Sequence, residues 1–300
     1  MKGPNFVVGH LRSGTAFMAS MLNACPEANA EWEGLFRLTC YEIDPASTAY
    51  YEGRCSSQEV RDLIQFYRLS KRPIGVDSFF RLPWILPPLL EEYPEAKFVH
   101  IVRNPKDCVK AAYNDTDCYG DALLAPQGKR AFLRWCVEND PTGLPGQSGS
   151  ALRGGPATFH AITQRRLCHP RVKRPDWESL SRFEKTCAYW TEAQRLCIAS
   201  LATRKGQYLR VRLEDLATVE HARTVFEFLD LEVPPTDKLA ARLAQKVNTA
   251  AVSDPYWIAV RGIKEESGAE LIPAYAEWSD AYKEGFERIC GATARECGYS

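Results

Sequence analysis

Four consecutive residues near the start of the chain, Arg12-Ser13-Gly14-Thr15, place a permanent cation, two hydroxyls and a glycine just ahead of a helical pattern carrying Phe17, Met18, Met21 and Leu22. Such a set can hold a phosphate or a similar anion. The first N–H groups of a helix lack intrahelical partners and lie at the positive end of its dipole. A glycine lets the backbone come close to a ligand, and an arginine presents a planar fork of donors to an oxyanion. The frame Gly9 to Gly14 has Walker-loop spacing, but Thr15-Ala16 stands where GxxxxGK[ST] needs lysine and a hydroxyl. The lysine that reaches β- and γ-phosphates is missing, and a serine/threonine plus aspartate pair for magnesium is not evident. A bland reading stays open for Thr15, as a plain helix cap.

A second arginine, Arg103, closes the apolar run Phe98-Val-His-Ile-Val102. An arginine at the carboxyl end of a parallel strand faces ligands bound in the crevice there. Its bland alternative is an ion pair with Asp107 or Glu214. Asp77 closes the stretch Arg72-Pro-Ile-Gly-Val-Asp77 and is a candidate carboxylate for the same crevice edge, or a structural cap.

These residues must be set in place by elements that alternate along the chain. Phe6–Val8 reads as a buried strand, followed by the loop and a helix. Residues 72–77 read as a short strand ending in a polar residue, and 82–93 as helical apart from its prolines. Residues 97–102 form the clearest strand, and Pro105 suits the first turn of a helix reaching about Tyr113. Residues 183–201, 219–229 and 282–297 read as further helices and 208–211 as a strand. The alternation predicts an α/β fold with a central parallel sheet flanked by helices. The expectation is one domain over 1–300, with residues 115–180 as a largely helical or irregular insertion that shapes a substrate pocket or lid. Within it, Asp140 to Gly149 is a loop on composition, and Arg165, Arg166, Arg171, Lys173 and Arg174 surround His169-Pro170 as a solvated basic face.

The 300 residues are 45% hydrophobic and 25% charged, as in a folded globular protein, and 38 basic residues balance 38 acidic ones. Zero net charge gives no global field for nucleic acid or an anionic membrane, so any anion site is local. The longest apolar stretch, Leu82 to Leu90, is too short and too proline-rich to span a bilayer. With no room for a signal peptide ahead of the first strand, the expectation is a cytoplasmic protein. The 11 cysteines include no CxxC and no cluster with metal spacing, which points to free thiols and no metal.

The two arginine segments together resemble the sulfotransferase superfamily. Arg12-Ser13-Gly14-Thr15-Ala16 is similar to that family's 5′-phosphosulfate loop, [RK]SG[TS]T. Phe98 to Asp107, FVHIVRNPKD, is similar to its 3′-phosphate segment, a strand and then R-[DN]-P-[RK]-D. Tyr208 to Leu216 resembles a late family strand that often ends YEDL, and Phe286 to Tyr299 the terminal helix of bacterial members. The resemblance does not extend over about 115–180.

The resemblance implies a P-loop-NTPase-like sulfotransferase fold and transfer of a sulfuryl group from 3′-phosphoadenosine 5′-phosphosulfate to a hydroxyl or amine. The acceptor implied is a small molecule such as a secondary metabolite. Arg12 and the backbone of Ser13, Gly14, Thr15 and Ala16 would bind the phosphosulfate. Arg103, with a late loop at Arg261-Gly262, would bind the 3′-phosphate, and Phe17 holds the place of an aromatic near the adenine in some relatives. A glutamate about twenty residues beyond the loop arginine takes the acceptor's proton in similar members; Glu33 is the first choice here, then Glu31, then Asp77. Two departures stand out: Ala16 stands where the family usually has a second hydroxyl, and Ala111 where it usually has a serine. Two rival functions follow from the residues: a small-metabolite kinase using ATP and magnesium, and a non-catalytic module that binds 3′-phosphoadenosine 5′-phosphate. Oligomeric state is not addressed by the residues.

Overall fold

The computed structural model describes residues 4–32, 40–69, 75–114, 169–172, 174–245 and 271–300, with the side chains of 40–45 and 66–69 outside the description. Five parallel strands, β1 (Asn5–Val8), β2 (Ala30–Trp32), β3 (Val76–Phe79), β4 (Phe98–Val102) and β5 (Tyr208–Arg212), form one sheet in the order β2-β3-β1-β4-β5. β1 is the central strand, pairing Phe6 with Asp77 of β3 on one side and with Phe98 of β4 on the other. Strand order reverses around β1, so the loop that leaves it opens at the crevice where open α/β sheets bind ligands.

Helices cover both faces, which is why β1 and β4 are continuous apolar runs rather than alternating ones. Phe6 and Val8 face α3 (Ser57–Leu69), α4 (Leu86–Glu92) and α6 (Arg182–Leu201), in a cluster with Ile64, Phe79, Leu89, Phe98 and Leu201. Val7 faces the other way, toward α1 (Thr15–Leu22), α7 (Val219–Phe228) and α8 (Thr236–Leu243), with Met18, Leu22, Val99, Ile101, Phe226 and Leu239. Each fully buried Phe or Val here contributes about 1.5–3 kcal/mol. A third apolar cluster joins α6 to α5 (Pro105–Tyr113) and α9 (Asp280–Glu296) through Trp190, Phe183, Trp278 and Phe286. The remaining helix is α2 (Cys40–Tyr51).

Local signals explain the starts of the elements that carry the site. Asn104 caps α5, its side chain accepting from Lys106 N at 3.1 Å, and Pro105 fills the first turn. Ser181 and Glu184 form a reciprocal capping box at α6.

The expected strand at 72–77 differs from what the fold contains. Residues 72–74 lie outside the described residues, and β3 runs Val76–Phe79, so Asp77 is its second residue and not its end. The polar Ser78 does not stop the strand because its Oγ donates to Thr15 O at 2.7 Å. The expected helix at 82–93 is a 3₁₀ turn, Leu82–Ile85, followed by α4, with a proline early in each piece. Most of the 115–180 insertion, including the loop at 140–149, lies outside the described residues.

Candidate functional site

Six residues connect β1 to α1, and their conformation is tightly constrained. Gly14 caps α1 at φ 107°, a left-handed conformation that only glycine adopts easily. A Cβ there would also meet Leu213 Cδ1 at 2.8 Å. Arg12 is left-handed too, at φ 65°, unusual for a residue with a Cβ. Gly9 lies so close to β4 that a Cβ would sit 2.6 Å from Ile101 O.

The loop's donors divide into used and available. Ser13 N donates to His10 O at 3.0 Å, closing the turn, and so is spent inside the loop. The N–H groups of Gly14, Thr15 and Ala16 make no hydrogen bond among the described residues. They are the orphan donors of the first turn of α1. Ser13 Oγ is buried without a partner and lies under the loop, 2.5 Å from where a Gly9 Cβ would be. Its hydroxyl therefore faces the sheet, and the loop's outer side presents backbone N–H groups; Arg12 is exposed. Thr15 is buried; Ala16 is half-buried; Phe17 is half-buried against the α1-side core.

Two neutral groups support the loop from below. His10 is buried, and burial lowers its pKa from 6.5 to about 4, so it is uncharged at neutral pH. Its Nδ1 lies 2.7 Å from Leu11 O, which fixes the proton on that nitrogen. Cys108, on α5, donates to the same carbonyl at 3.1 Å, and burial raises its thiol pKa to about 12.

Arg103 sits immediately after β4, beside the loop. Its Nη1 donates to Arg12 O at 3.1 Å, and among the described residues it forms no ion pair. Glu214 does not pair with it; the carboxylate takes the next backbone N–H instead, Asn104 N to Oε1 at 2.8 Å. Ala111 is half-buried on α5. The structure thus brings together Arg12, Gly14, Thr15, Ala16 and Arg103 at the carboxyl edge of β1 and β4.

The carboxylates are placed differently. Glu31 and Asp77 are register partners on β2 and β3. Asp77 is fully buried on the sheet face toward α3 and α4, level with Phe6 in β1 and below the loop. Glu31 is half-buried. Glu33, Arg261 and Gly262 lie outside the described residues. No group of three or more His, Cys, Asp or Glu able to hold a metal ion occurs among the described residues, and no described helix is long and apolar enough to cross a membrane. The seven cysteines whose side chains are described are free thiols.

Sequence reasoning gave no role to Asn104 and Tyr299, and it offered Glu214 as an ion-pair partner of Arg103, which it is not. The Asn-Pro pair at 104–105 is a legible helix start. The contact of Glu214 with Asn104 is tertiary, and no local spacing announces it.

No protein-family model matches the chain, and no curated protein matches it by sequence. Among solved structures, the chain is similar to the sulfotransferase domain from the curacin biosynthetic pathway, at 14% identity and TM-score 0.49, covering 100% of this chain and 99% of that one. A sulfotransferase domain from the Synechococcus PCC 7002 olefin synthase is similar at 14% identity and TM-score 0.45, covering 98% and 96% of the two chains. A sulfotransferase from Alicyclobacillus acidocaldarius is similar at 13% identity and TM-score 0.38, covering 94% and 100%. The solved structures that this chain resembles are, in these three cases, sulfotransferases.

Proposed function

We propose that the protein transfers a sulfuryl group from 3′-phosphoadenosine 5′-phosphosulfate to a hydroxyl or amine of a small-molecule acceptor. The observation that carries this reading is the corner built by Arg12 and Arg103. Two arginines from the ends of adjacent strands, joined by a hydrogen bond, flank a helix N-terminus whose first N–H groups are unused. Three orphan donors and two guanidinium groups fit a nucleotide with an anionic group at each end.

The donor supplies an activated sulfuryl group on a phosphate leaving group. Arg12 would neutralise the charge that grows on that phosphate, and the Gly14, Thr15 and Ala16 N–H groups would hold its oxygens. Such preorganised donors act with no reorganisation at the moment of transfer. Arg103 would bind the 3′-phosphate, joined by Arg261 and Gly262. Glu33 is the proposed base for the acceptor's proton, ahead of Glu31; Asp77, buried in β3, ranks last.

Thermal stabilisation by 3′-phosphoadenosine 5′-phosphate, measured against ATP with magnesium, tests the reading. Preferential stabilisation by the adenosine bisphosphate is expected. A preference for ATP with magnesium would replace this reading with the kinase one. Bisphosphate binding without turnover on any acceptor tried would favour a binding module, and undiminished turnover in Glu33→Gln would remove Glu33 as the base.

A further inference from the structure

Arg103 points at the loop, yet its own backbone stands at the junction of β4 and α5, where the chain must turn sharply. β4 ends at Val102, whose carbonyl accepts Leu213 N at 2.7 Å. As the residue capping α5, Asn104 has a non-helical backbone and an N–H outside the helix ladder. That N–H is spent on Glu214 Oε1, and the second oxygen of the same carboxylate accepts from Tyr299 Oη at 2.7 Å. Both oxygens of Glu214 are thus engaged, one by the chain next to Arg103 and one by a phenol far away in sequence.

Further contacts hold the Tyr299 end of this bridge. Arg212 pairs with Asp215 through two bonds of 2.8 and 2.7 Å, fixing the turn that carries Glu214. The same guanidinium lies 5.7 Å from the Tyr299 ring centroid and donates to Gly298 O at 3.4 Å. Lys106, in the first turn of α5, donates to Ser300 O at 2.9 Å. Residues 298–300 therefore clasp the start of α5 and the end of β5 together. Burial and the Glu214 carboxylate hold the Tyr299 phenol well above its ordinary pKa, so it remains a donor at neutral pH.

We propose that Glu214 and Tyr299 are positioning residues that set Arg103 for the 3′-phosphate of the donor nucleotide. The role rests on the donor reading above. A plain stabilising role for the carboxylate at the start of α5 would affect every nucleotide equally. A positioning role acts on the 3′-phosphate alone, because the 5′ end is held by the β1–α1 loop.

The test is a comparison of two ligands by calorimetric titration: 3′-phosphoadenosine 5′-phosphate and adenosine 5′-monophosphate, which differ by the 3′-phosphate. Losing one such hydrogen bond changes an affinity by roughly 3- to 10-fold. Tyr299→Phe and Glu214→Ala are expected to weaken the bisphosphate by that factor and the monophosphate by less than about twofold. Arg204→Ala is the control; it removes bonds to Pro94 O and Leu90 O away from the site, and its ratio should match the parent's. If Glu214→Ala does not fold, the milder Tyr299→Phe carries the comparison. A parent-like ratio in Tyr299→Phe overturns the positioning role while leaving the donor reading intact. A parent protein that does not discriminate between the two ligands overturns the donor reading and this role with it.

Discussion

The Arg103 guanidinium donates to the carbonyl oxygen of Arg12 across 3.1 Å, tying the end of β4 to the apex of the loop that follows β1. Arg12 holds that carbonyl in place with a left-handed backbone, and Arg103 spends one of its five donors on it. The Arg103 side chain is thereby tied to the Arg12 backbone in the free protein, with most of the Arg103 fork left over.

Arg12→Gly should separate stability from function. Glycine adopts the left-handed conformation without the Cβ penalty and keeps the carbonyl that Arg103 binds, while adding entropy to the unfolded chain. The two effects nearly cancel, and urea unfolding should find the variant within about 1 kcal/mol of the parent. Turnover should fall by about 100-fold or more as the cation beside the leaving phosphate is lost. Near-parental turnover would remove Arg12 from the site.

Ser13→Ala should cost nothing in the free protein. The Ser13 hydroxyl is buried under the loop without a partner, and removing an unsatisfied polar group is neutral or stabilising, by roughly 1 kcal/mol at most. Denaturant midpoints measure this. A clear loss of stability would mean that the hydroxyl is satisfied in solution.

Acid should weaken the fold through two buried imidazoles. His100 Nε2 donates to Gln194 Oε1 at 2.6 Å, its Nδ1 accepts from Tyr208 Oη at 3.2 Å, and burial lowers its pKa from 6.5 to about 4, as it does for His10. The unfolded chain binds these protons near pH 6.5 and the folded chain not until about pH 4. Stability is therefore full above about 6.5 and is lost as pH falls toward 4, by up to about 3 kcal/mol per histidine. The slope of unfolding free energy against pH in that window should be shallower in His100→Asn by about 1.4 kcal/mol per pH unit. An unchanged slope would show that His100 is already charged in the folded protein.

The carboxylates should separate by what their amides do. Glu33→Gln should lower kcat by about 10²–10⁴-fold with bisphosphate affinity retained. Asp77→Asn should instead appear as lost stability, since Asp77 is fully buried in β3 and engaged by a partner. A kcat loss in Asp77→Asn at parental stability would reverse the order of the candidates.

The central strands and Arg103 were legible because both follow from local pattern. A strand buried on both faces shows as a continuous apolar run, and α5 runs from Pro105 to Tyr113 as its Asn-Pro start announces. β2 has three residues at the sheet edge, too few for any periodicity to show, and α3 hides its apolar face among charged residues. Asp77 was misplaced at a strand end because Ser78 looks like a stop; a bond to Thr15 O, provided by another element, lets the strand continue. The contacts of Glu214, read from the sequence as an ion pair with Arg103, were missed for the same reason. Its partners Asn104 and Tyr299 come from distant parts of the chain, and only the sheet order brings them together.

The middle place of β1 also has a price in folding. Phe6 must wait for Asp77 on one side and Phe98 on the other, and Phe98 for Tyr208. Such pairings have high contact order, and they form slowly. During synthesis the Phe6-Val7-Val8 strand is made first and leaves the ribosome with neither neighbour present, an apolar segment open to wrong pairings. A nascent chain that stops short of Ile101 has the whole β1–α1 loop in its sequence but lacks both the β4 residue that Gly9 packs against and the Arg103 side chain that ties Arg12.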